Sequence, residues 1–315
     1  MGVWDQLIGQ DAVVSELSHA ASDESAMTHA WLITGPPGSG RSTAAIAFAA
    51  ALQCPAGGCG TCATCMTVLA GAHRDVEIVR SDQLSYSTED ARELVARSSV
   101  VPADVPWHVV VIEDADRFTE SAVNVMLKAI EEPPPHLVWL LCTPSVEDVL
   151  PTIRSRTRVL HLRTPGTTEV AQALQERYGV DPAMAAFAAR ASQGHVGRAR
   201  ALATDEGTRL RRQEILRIPG SLRDLGSCFV AGEALVAMAT QDAASICDPL
   251  DAAEEDALQR TYGVGAEGVT KGRLDRLMGK ESKELHKAQT SRRKRSLRDQ
   301  VDRAFVDLLS YYRDV

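Results

Sequence analysis

Residues 30 to 42 read Ala30-Trp31-Leu32-Ile33-Thr34-Gly35-Pro36-Pro37-Gly38-Ser39-Gly40-Arg41-Ser42 and decide the fold. The first five read as a buried strand, and an alanine-rich run from Thr43 to Leu52 predicts a helix after the loop. Strand, glycine turn and helix N-terminus present backbone N–H groups and the positive end of a helix dipole to a phosphate. The loop fits G-x-x-x-x-G-K-[ST] with one departure, because Arg41 stands where the pattern has lysine. The candidate phosphate ligands are therefore Gly35, Gly38, Gly40, Arg41 and Ser42. A planar guanidinium on a longer stem does not replace a compact ammonium conservatively at a tight site. Phosphate binding can survive that change while hydrolysis weakens.

Working outward, the next element needed is an apolar strand ending in acids. Residues 109–116, V-V-V-I-E-D-A-D, supply it. In motor ATPases such a strand ends Asp-Glu, with the aspartate holding Mg²⁺ and the glutamate orienting water. Here the order is swapped. Glu113 is a methylene longer at the metal position, and Asp114 is a methylene shorter where reach to the water matters. A misplacement of ~1 Å can cost ~100-fold in rate. Both departures point to a poor catalyst. A buried strand followed by a solvated acidic turn is the plainer alternative.

Strand-like runs recur at 76–79, 109–112, 137–142 and 158–162, separated by helical patterns. That alternation predicts an α/β fold with a parallel sheet and helices on both faces, over residues 1–163. The run Arg163-Thr164-Pro165-Gly166 breaks the pattern as a hinge, and short helices follow to about residue 203. Beyond Asp205 the periodicity is helical, through 210–216, 230–240 and 297–312. The last stretch places Val301, Ala304, Phe305, Leu308 and Leu309 on one face.

Cys54, Cys59, Cys62 and Cys65 form C-x4-C-x2-C-x2-C within a Pro, Gly, Ala and Thr segment that turns tightly and packs little. Four thiolates so spaced can close a structural tetrahedral zinc site. Iron–sulfur ligation is the other metal reading, and disulfides the third, disfavoured for a chain with no secretory signal. Cys142, Cys228 and Cys247 lie in apolar surroundings and are expected in cores.

The chain of 315 residues is 44% hydrophobic, enough for two or three domains, and no apolar run approaches the ~20 residues of a membrane span. A soluble cytoplasmic protein is expected. Its net charge of −8 argues against a DNA-binding surface over the whole molecule. Residues 271–298 are locally basic, with Arg292-Arg293-Lys294-Arg295 in a row, and 248–256 are acidic. The basic cluster lacks the aromatics that stack bases, so a solvated helix is favoured over a nucleic-acid contact.

Three further stretches carry a family resemblance: N-V-M-L-K-A-I-E-E-P-P at 124–134, L-L-C-T-P at 140–144 and L-P-T-I-R-S-R-T at 150–157. Together they resemble the clamp-loader branch of the AAA+ proteins. With Arg41 and the swapped acids, the similarity is greatest to the delta-prime type of bacterial DNA polymerase III subunit. The motifs cover roughly residues 3 to 200; beyond them the resemblance rests on domain order. It implies an AAA+ P-loop domain with a zinc module at 54–65, a small helical lid at 164–206 and an all-α C-terminal collar at 207–315. Residues 3–10 resemble the segment that this branch places beside the adenine.

The resemblance also assigns roles. Thr143 falls at the sensor-1 position, and Arg198, in Gly194-His195-Val196-Gly197-Arg198, at the sensor-2 position of the lid. Arg156, in Ser155-Arg156-Thr157, matches the arginine that reaches across to a neighbour's γ phosphate, with threonine replacing the family's cysteine. The flanking arginines, Arg154 and Arg158, leave a surface helix-start residue as the plainer reading of Arg156. Implied partners are gamma/tau and delta-like subunits, the sliding clamp, and primed DNA through the complex. Structural Zn²⁺ and ATP with Mg²⁺ are the implied cofactors, with nucleotide binding at the altered loop left open. A stator with weak or absent ATP hydrolysis is expected. An active motor of the gamma/tau type is the alternative, and a small-molecule P-loop kinase is disfavoured by the sensor and Ser-Arg motifs.

Overall fold

The computed structural model describes residues 2–80, 85–99, 106–261 and 271–314, and divides into two units, Met1–Glu206 and Gly207–Val315. In the first unit β1 (Ala30–Thr34), β2 (Val76–Val79), β3 (His108–Ile112), β4 (Leu137–Thr143) and β5 (Arg158–His161) form one sheet, in the order β2-β3-β4-β1-β5. All four pairings are parallel. Every residue of β1 and β4 is buried. Both strands therefore read as unbroken apolar runs, since a parallel strand covered on both faces has no solvent side.

The covering layers follow from strand alternation. Trp31, Ile33, Val109, Val111 and Leu140 share a core with α1 (Asp11–Ser22), α2 (Arg41–Gln53) and α3 (Ala63–Leu69). Leu32, Val110, Ile112, Trp139 and Leu141 face the other way, to α4 (Thr88–Ser98), α5 (Glu120–Glu131) and Ile153 of the short α6 (Pro151–Arg154). Helix α2 is buried almost all round and so carries no polar stripe. Its Phe48 ring meets Trp31 edge to face at 5.3 Å. It starts at Arg41, two residues before the alanine run, which puts Arg41 and Ser42 in its first turn.

Helix α4 opens with a reciprocal cap: the Ser87 hydroxyl accepts from Asp90 N–H at 3.2 Å, and the Asp90 carboxylate accepts from Ser87 N–H at 2.8 Å. Helices α7 (Thr167–Tyr178), α8 (Pro182–Ala191) and α9 (Val196–Thr204) build a further small core around Val170, Leu174, Ala188 and Leu202, into which Ile8 packs.

The second unit is helical: α10 (Glu206–Ser221), α11 (Leu225–Thr261) and α12 (Lys271–Asp314), the last two far longer than the sequence patterns suggest. On α11, Leu235, Ala239, Ala243, Cys247 and Asp251 are buried at every fourth position, a narrow stripe against α12. The basic run is partly paired and partly solvated, with Arg293 and Lys294 exposed. Arg292 reaches Asp251 at 3.1 Å and Glu254 at 2.6 Å, and Arg293 reaches Asp248 and Asp251 at 2.8 Å each. The acidic and basic runs thus pair with each other along the two helices; the side chains of 271–278 lie outside the described residues.

One other expectation changes. Cys228 is exposed rather than in a core. Over 297–312 of α12, Ala304, Asp307 and Ser310 are buried while Phe305 and Leu309 are exposed. Asp307 turns inward to meet Arg212 at 2.8 Å, which rotates the apolar pair to the surface. Among the described residues, no helix is long and apolar enough to cross a membrane.

Candidate nucleotide and metal sites

The carboxyl ends of the central strands bring the phosphate loop and the acids to one edge of the sheet. Thr34, which precedes the loop, lies level with Thr143, and Ile112, which precedes the acids, lies level with Leu141 on the same strand β4. Within the loop Gly38 and Gly40 have φ of 82° and 98°, a region that favours glycine. A side chain at Gly38 would also strike the His195 ring, whose Cγ lies 2.3 Å from the position a Cβ would take. The start of α9 is docked on the loop here, with Val196 N–H donating to the Gly38 carbonyl at 3.4 Å.

Phosphate fits this cradle. The N-cap of α2 is Gly40, which offers no side chain to the first-turn N–H groups, so these groups and the helix dipole are open to an anion. Ser39 Oγ is buried without a hydrogen-bond partner. Arg41, however, donates its guanidinium back to the Gly35 carbonyl, holding the cation against its own loop.

A divalent cation would meet a competing guanidinium at Glu113. Glu113 is 9% exposed, and Arg80 Nε lies 3.0 Å from its Oε2. Asp114 lies 3.6 Å from Arg117. The carboxyl of Asp116 is pushed above the usual carboxylate range, chiefly by burial. Thr143 is fully buried and donates its hydroxyl to the Ser145 carbonyl at 3.0 Å. Arg198 is half-buried, and its N–H donates to His195 Nδ1 at 3.2 Å as the cap of α9.

Sequence reasoning passed over Arg80. The signal was the basic residue ending Val76-Glu77-Ile78-Val79-Arg80, because parallel pairing of β2 with β3 sets that strand end beside Glu113. Gln10 was passed over as well. It is buried, donates to the carbonyls of Arg163 at 2.7 Å and Ser39 at 3.3 Å, and accepts from Arg163 N–H at 3.2 Å. One amide thus ties the N-terminal segment, the loop and the hinge together. Above it, Arg163 donates to both oxygens of Glu169, at 2.9 and 2.5 Å. That hydrogen bonding, with Gly166 N–H, brings the Glu169 carboxyl down to about 2.

Arg156 is at the other edge. It precedes β5, whose first residue, Arg158, lies level with Trp31 near the amino end of β1. Its Nε meets Glu131 Oε1 at 2.5 Å, and Nη1 donates to the Thr152 carbonyl at 2.8 Å and the Ser155 hydroxyl at 3.1 Å. Both charged groups of the ion pair are exposed.

Cys54, Cys59, Cys62 and Cys65 converge so that all four sulfurs lie within 4.8 Å of one another. Cys54 Sγ is 3.8 Å from Cys59 Sγ and 3.7 Å from Cys62 Sγ. A tetrahedron of Zn–S bonds of ~2.3 Å has edges of about 3.8 Å, so the set fits one tetrahedral ion. Backbone N–H groups of Thr61 and Cys62 bring the Cys59 thiol down to about 6, while burial pushes Cys65 up to about 12. The module also anchors the N-terminus: Val3 N–H donates to the Gly58 carbonyl at 3.0 Å, and Val3 is fully buried beside Cys54 and Cys65.

Residues 9–166, about half of the chain, match the family model described as DNA polymerase III, delta subunit. The gamma/tau subunit of DNA polymerase III from Mycobacterium bovis is 34% identical over 199 residues, covering 60% of this chain and 34% of that protein. The tau subunit from Escherichia coli is 28% identical over 233 residues, covering 69% and 36%. The chain thus spans about a third of the length of these curated relatives. Among solved structures, a gamma-subunit-related DNA polymerase III protein of Thermotoga maritima aligns with a TM-score of 0.44 at 16% identity, covering 92% of this chain and 98% of that one. The RuvB Holliday junction branch migration motor of the same organism aligns at 0.46 and 18%, covering 87% and 83%. From the match across the loop, the acids and the Ser-Arg segment, the chain belongs to the DNA polymerase III delta-subunit family, within the clamp-loader proteins.

Proposed function

We propose that this chain is a delta-prime-like stator of the DNA polymerase III clamp loader. It works in a ring with gamma/tau and delta-like subunits that places the sliding clamp on primed DNA, and it lends Arg156 to a neighbour's nucleotide. The observation that carries this reading is topological. Arg156 sits at the amino edge of the sheet and its own phosphate loop at the carboxyl edge. At ~3.3 Å per strand residue the two are on the order of 10 Å or more apart, which supports a role towards another chain's phosphate rather than its own.

In this reading Gly35, Gly38, Gly40, Arg41, Ser42 and Arg198 retain phosphate contacts, while Glu113, Asp114 and Thr143 no longer run hydrolysis. Residues 164–206 act as the lid and 207–315 as the collar. Zn²⁺ is the ion proposed for Cys54, Cys59, Cys62 and Cys65, as a structural brace. Sulfur edges of single-ion size favour it over an iron–sulfur cluster, which would set further metal and sulfide atoms between the thiolates.

The test is ATP turnover, stimulated by clamp and primed DNA, in a loader reconstituted with this chain as wild type or Arg156→Ala. A trans arginine is worth on the order of 10³ to 10⁵ at the site it faces, so that site should fall silent while the complex still assembles. Unchanged turnover would return Arg156 to the status of a surface residue.

A motor reading is favoured by one observation, that the relatives above are named gamma/tau and tau subunits. Turnover by the isolated chain separates the two. A stator gives next to none, and Arg41→Lys combined with Glu113→Asp and Asp114→Glu should raise it.

A further inference from the structure

We propose that Arg80 keeps a divalent cation off the acids of this chain's own site, so that the phosphates of a nucleotide bind there against the protein's cations without Mg²⁺. The inference rests on the reading that this site is a weak catalyst and supplies a cause for it outside the loop and the acid pair. Glu113 N–H donates to the Val79 carbonyl at 3.1 Å, which sets residue 113 beside the end of β2 and therefore beside Arg80. The guanidinium then covers Glu113 Oε2 at 3.0 Å. The carboxylate is only 9% exposed, whereas the Arg80 side chain is 53% exposed, so the cation is the part of the pair that meets solvent.

Mg²⁺ binds oxygens at ~2.0–2.1 Å in near-octahedral geometry and keeps several waters. To use Glu113 it would have to displace or crowd a positive group already on that carboxylate. Two neighbouring groups are engaged as well: Asp114 has Arg117 at 3.6 Å, and the Thr143 hydroxyl is bonded to Ser145. The phosphate side of the site is intact by contrast, with the uncapped start of α2 and Arg41 against the loop. Guanidinium groups bind phosphate oxygens well and can supply the neutralising charge that a metal otherwise brings. The ligand class is a nucleoside di- or triphosphate free of metal.

Two measurements on the full chain decide it: calorimetric titration with ATP in Mg²⁺ or in EDTA, and electron paramagnetic resonance of Mn²⁺ added with ATP. Wild type should bind ATP more weakly in Mg²⁺ than in EDTA, because Mg²⁺ holds ATP in solution, and should show no Mn²⁺ signal beyond that of the Mn²⁺–ATP complex free in solution. Arg80→Ala should bind ATP at least ~10-fold more tightly with Mg²⁺ than with EDTA and hold Mn²⁺, because the competing charge is gone. Arg80→Gln, which keeps a polar side chain of similar reach, serves if Arg80→Ala loses its fold. The proposal is overturned if wild type already holds Mn²⁺ with ATP, or if neither variant changes the cation dependence, absence of ATP binding in all forms included. Strong Mg²⁺-dependent turnover by the isolated wild-type chain would overturn the stator reading too. Mg²⁺-dependent binding without turnover would overturn this inference alone.

Discussion

At the carboxyl edge of the sheet, Arg41 donates to the Gly35 carbonyl and Arg80 lies on a nearly buried Glu113; at the amino edge, Arg156 and Arg158 pair with the exposed Glu131 and Glu16. The ion pairs at Glu113 and at Glu131 differ in how easily they open. An exposed pair is worth ~0–1 kcal/mol, so Arg156 can leave Glu131 for a more highly charged phosphate at little cost. Opening the pair at Glu113 leaves a carboxylate with little water to replace its partner, which is more costly. The sheet therefore has one edge where Arg80 is held on a nearly buried carboxylate and one where Arg156 is available to another molecule.

The largest effect that would break this comparison is at Arg156. If Arg156→Ala left loader turnover intact while Arg41→Ala abolished it, the edges would have the opposite roles. The expected order is the reverse, with a loss of ~10³ or more at the faced site for Arg156→Ala and little for Arg41→Ala. Arg156→Lys sharpens the point, since a point charge without the planar fork should recover only part of the rate.

Next in size is the metal. Cys62→Ser, or chelation, should release the bound ion from an initial content of about one zinc per chain, measured by elemental analysis. The consequence should be local. Val3 is held by Gly58, and a Cβ built at Gly40 would lie 3.6 Å from Leu7, so the N-terminal segment connects the cysteine loop to the phosphate loop. Hydrogen exchange should accelerate at the Val3 and Leu7 amides, while those of β3 and β4 keep their protection. Equal protection at Val3 with and without metal would show that the module does not brace the carboxyl edge.

Much of this was legible in the sequence because the signals are local. The strand at 30–34, the glycine loop and the cysteine spacing each occupy a dozen residues or fewer, and the buried parallel strands announce themselves as unbroken apolar runs. What escaped depends on pairing between distant segments. Arg80 meets Glu113 only through the register of β2 with β3, and Gln10 meets Arg163 across 153 positions. The pairing of Arg292 and Arg293 escaped because their acidic partners sit some 40 residues upstream on another helix. Which residues of the 301–309 stretch are buried also escaped, because a 3.6-residue period cannot weigh an apolar stripe against a buried ion pair at Asp307.

The smallest expected effect concerns the latch that closes the carboxyl edge over Gln10. Glu169 accepts from Arg163 and from Gly166 N–H, and a Cβ at Gly9, whose φ is +66°, would lie 2.7 Å from its Oε2. Its folded carboxyl titrates at about 2, below the ordinary 4.5, so the stability it contributes is fully present above about 4.5 and is lost as the pH falls towards 2. Thermal midpoints measured across that window should fall more steeply for wild type than for Arg163→Gln, which has no guanidinium to lose. The difference should be small because both side chains are exposed and solvent screens the pair. Equal slopes would mean that the hinge is held by Gln10 alone. Protonation would then loosen the carboxyl edge no more than the amino edge, and the committed and available ends of the sheet would differ only at Glu113.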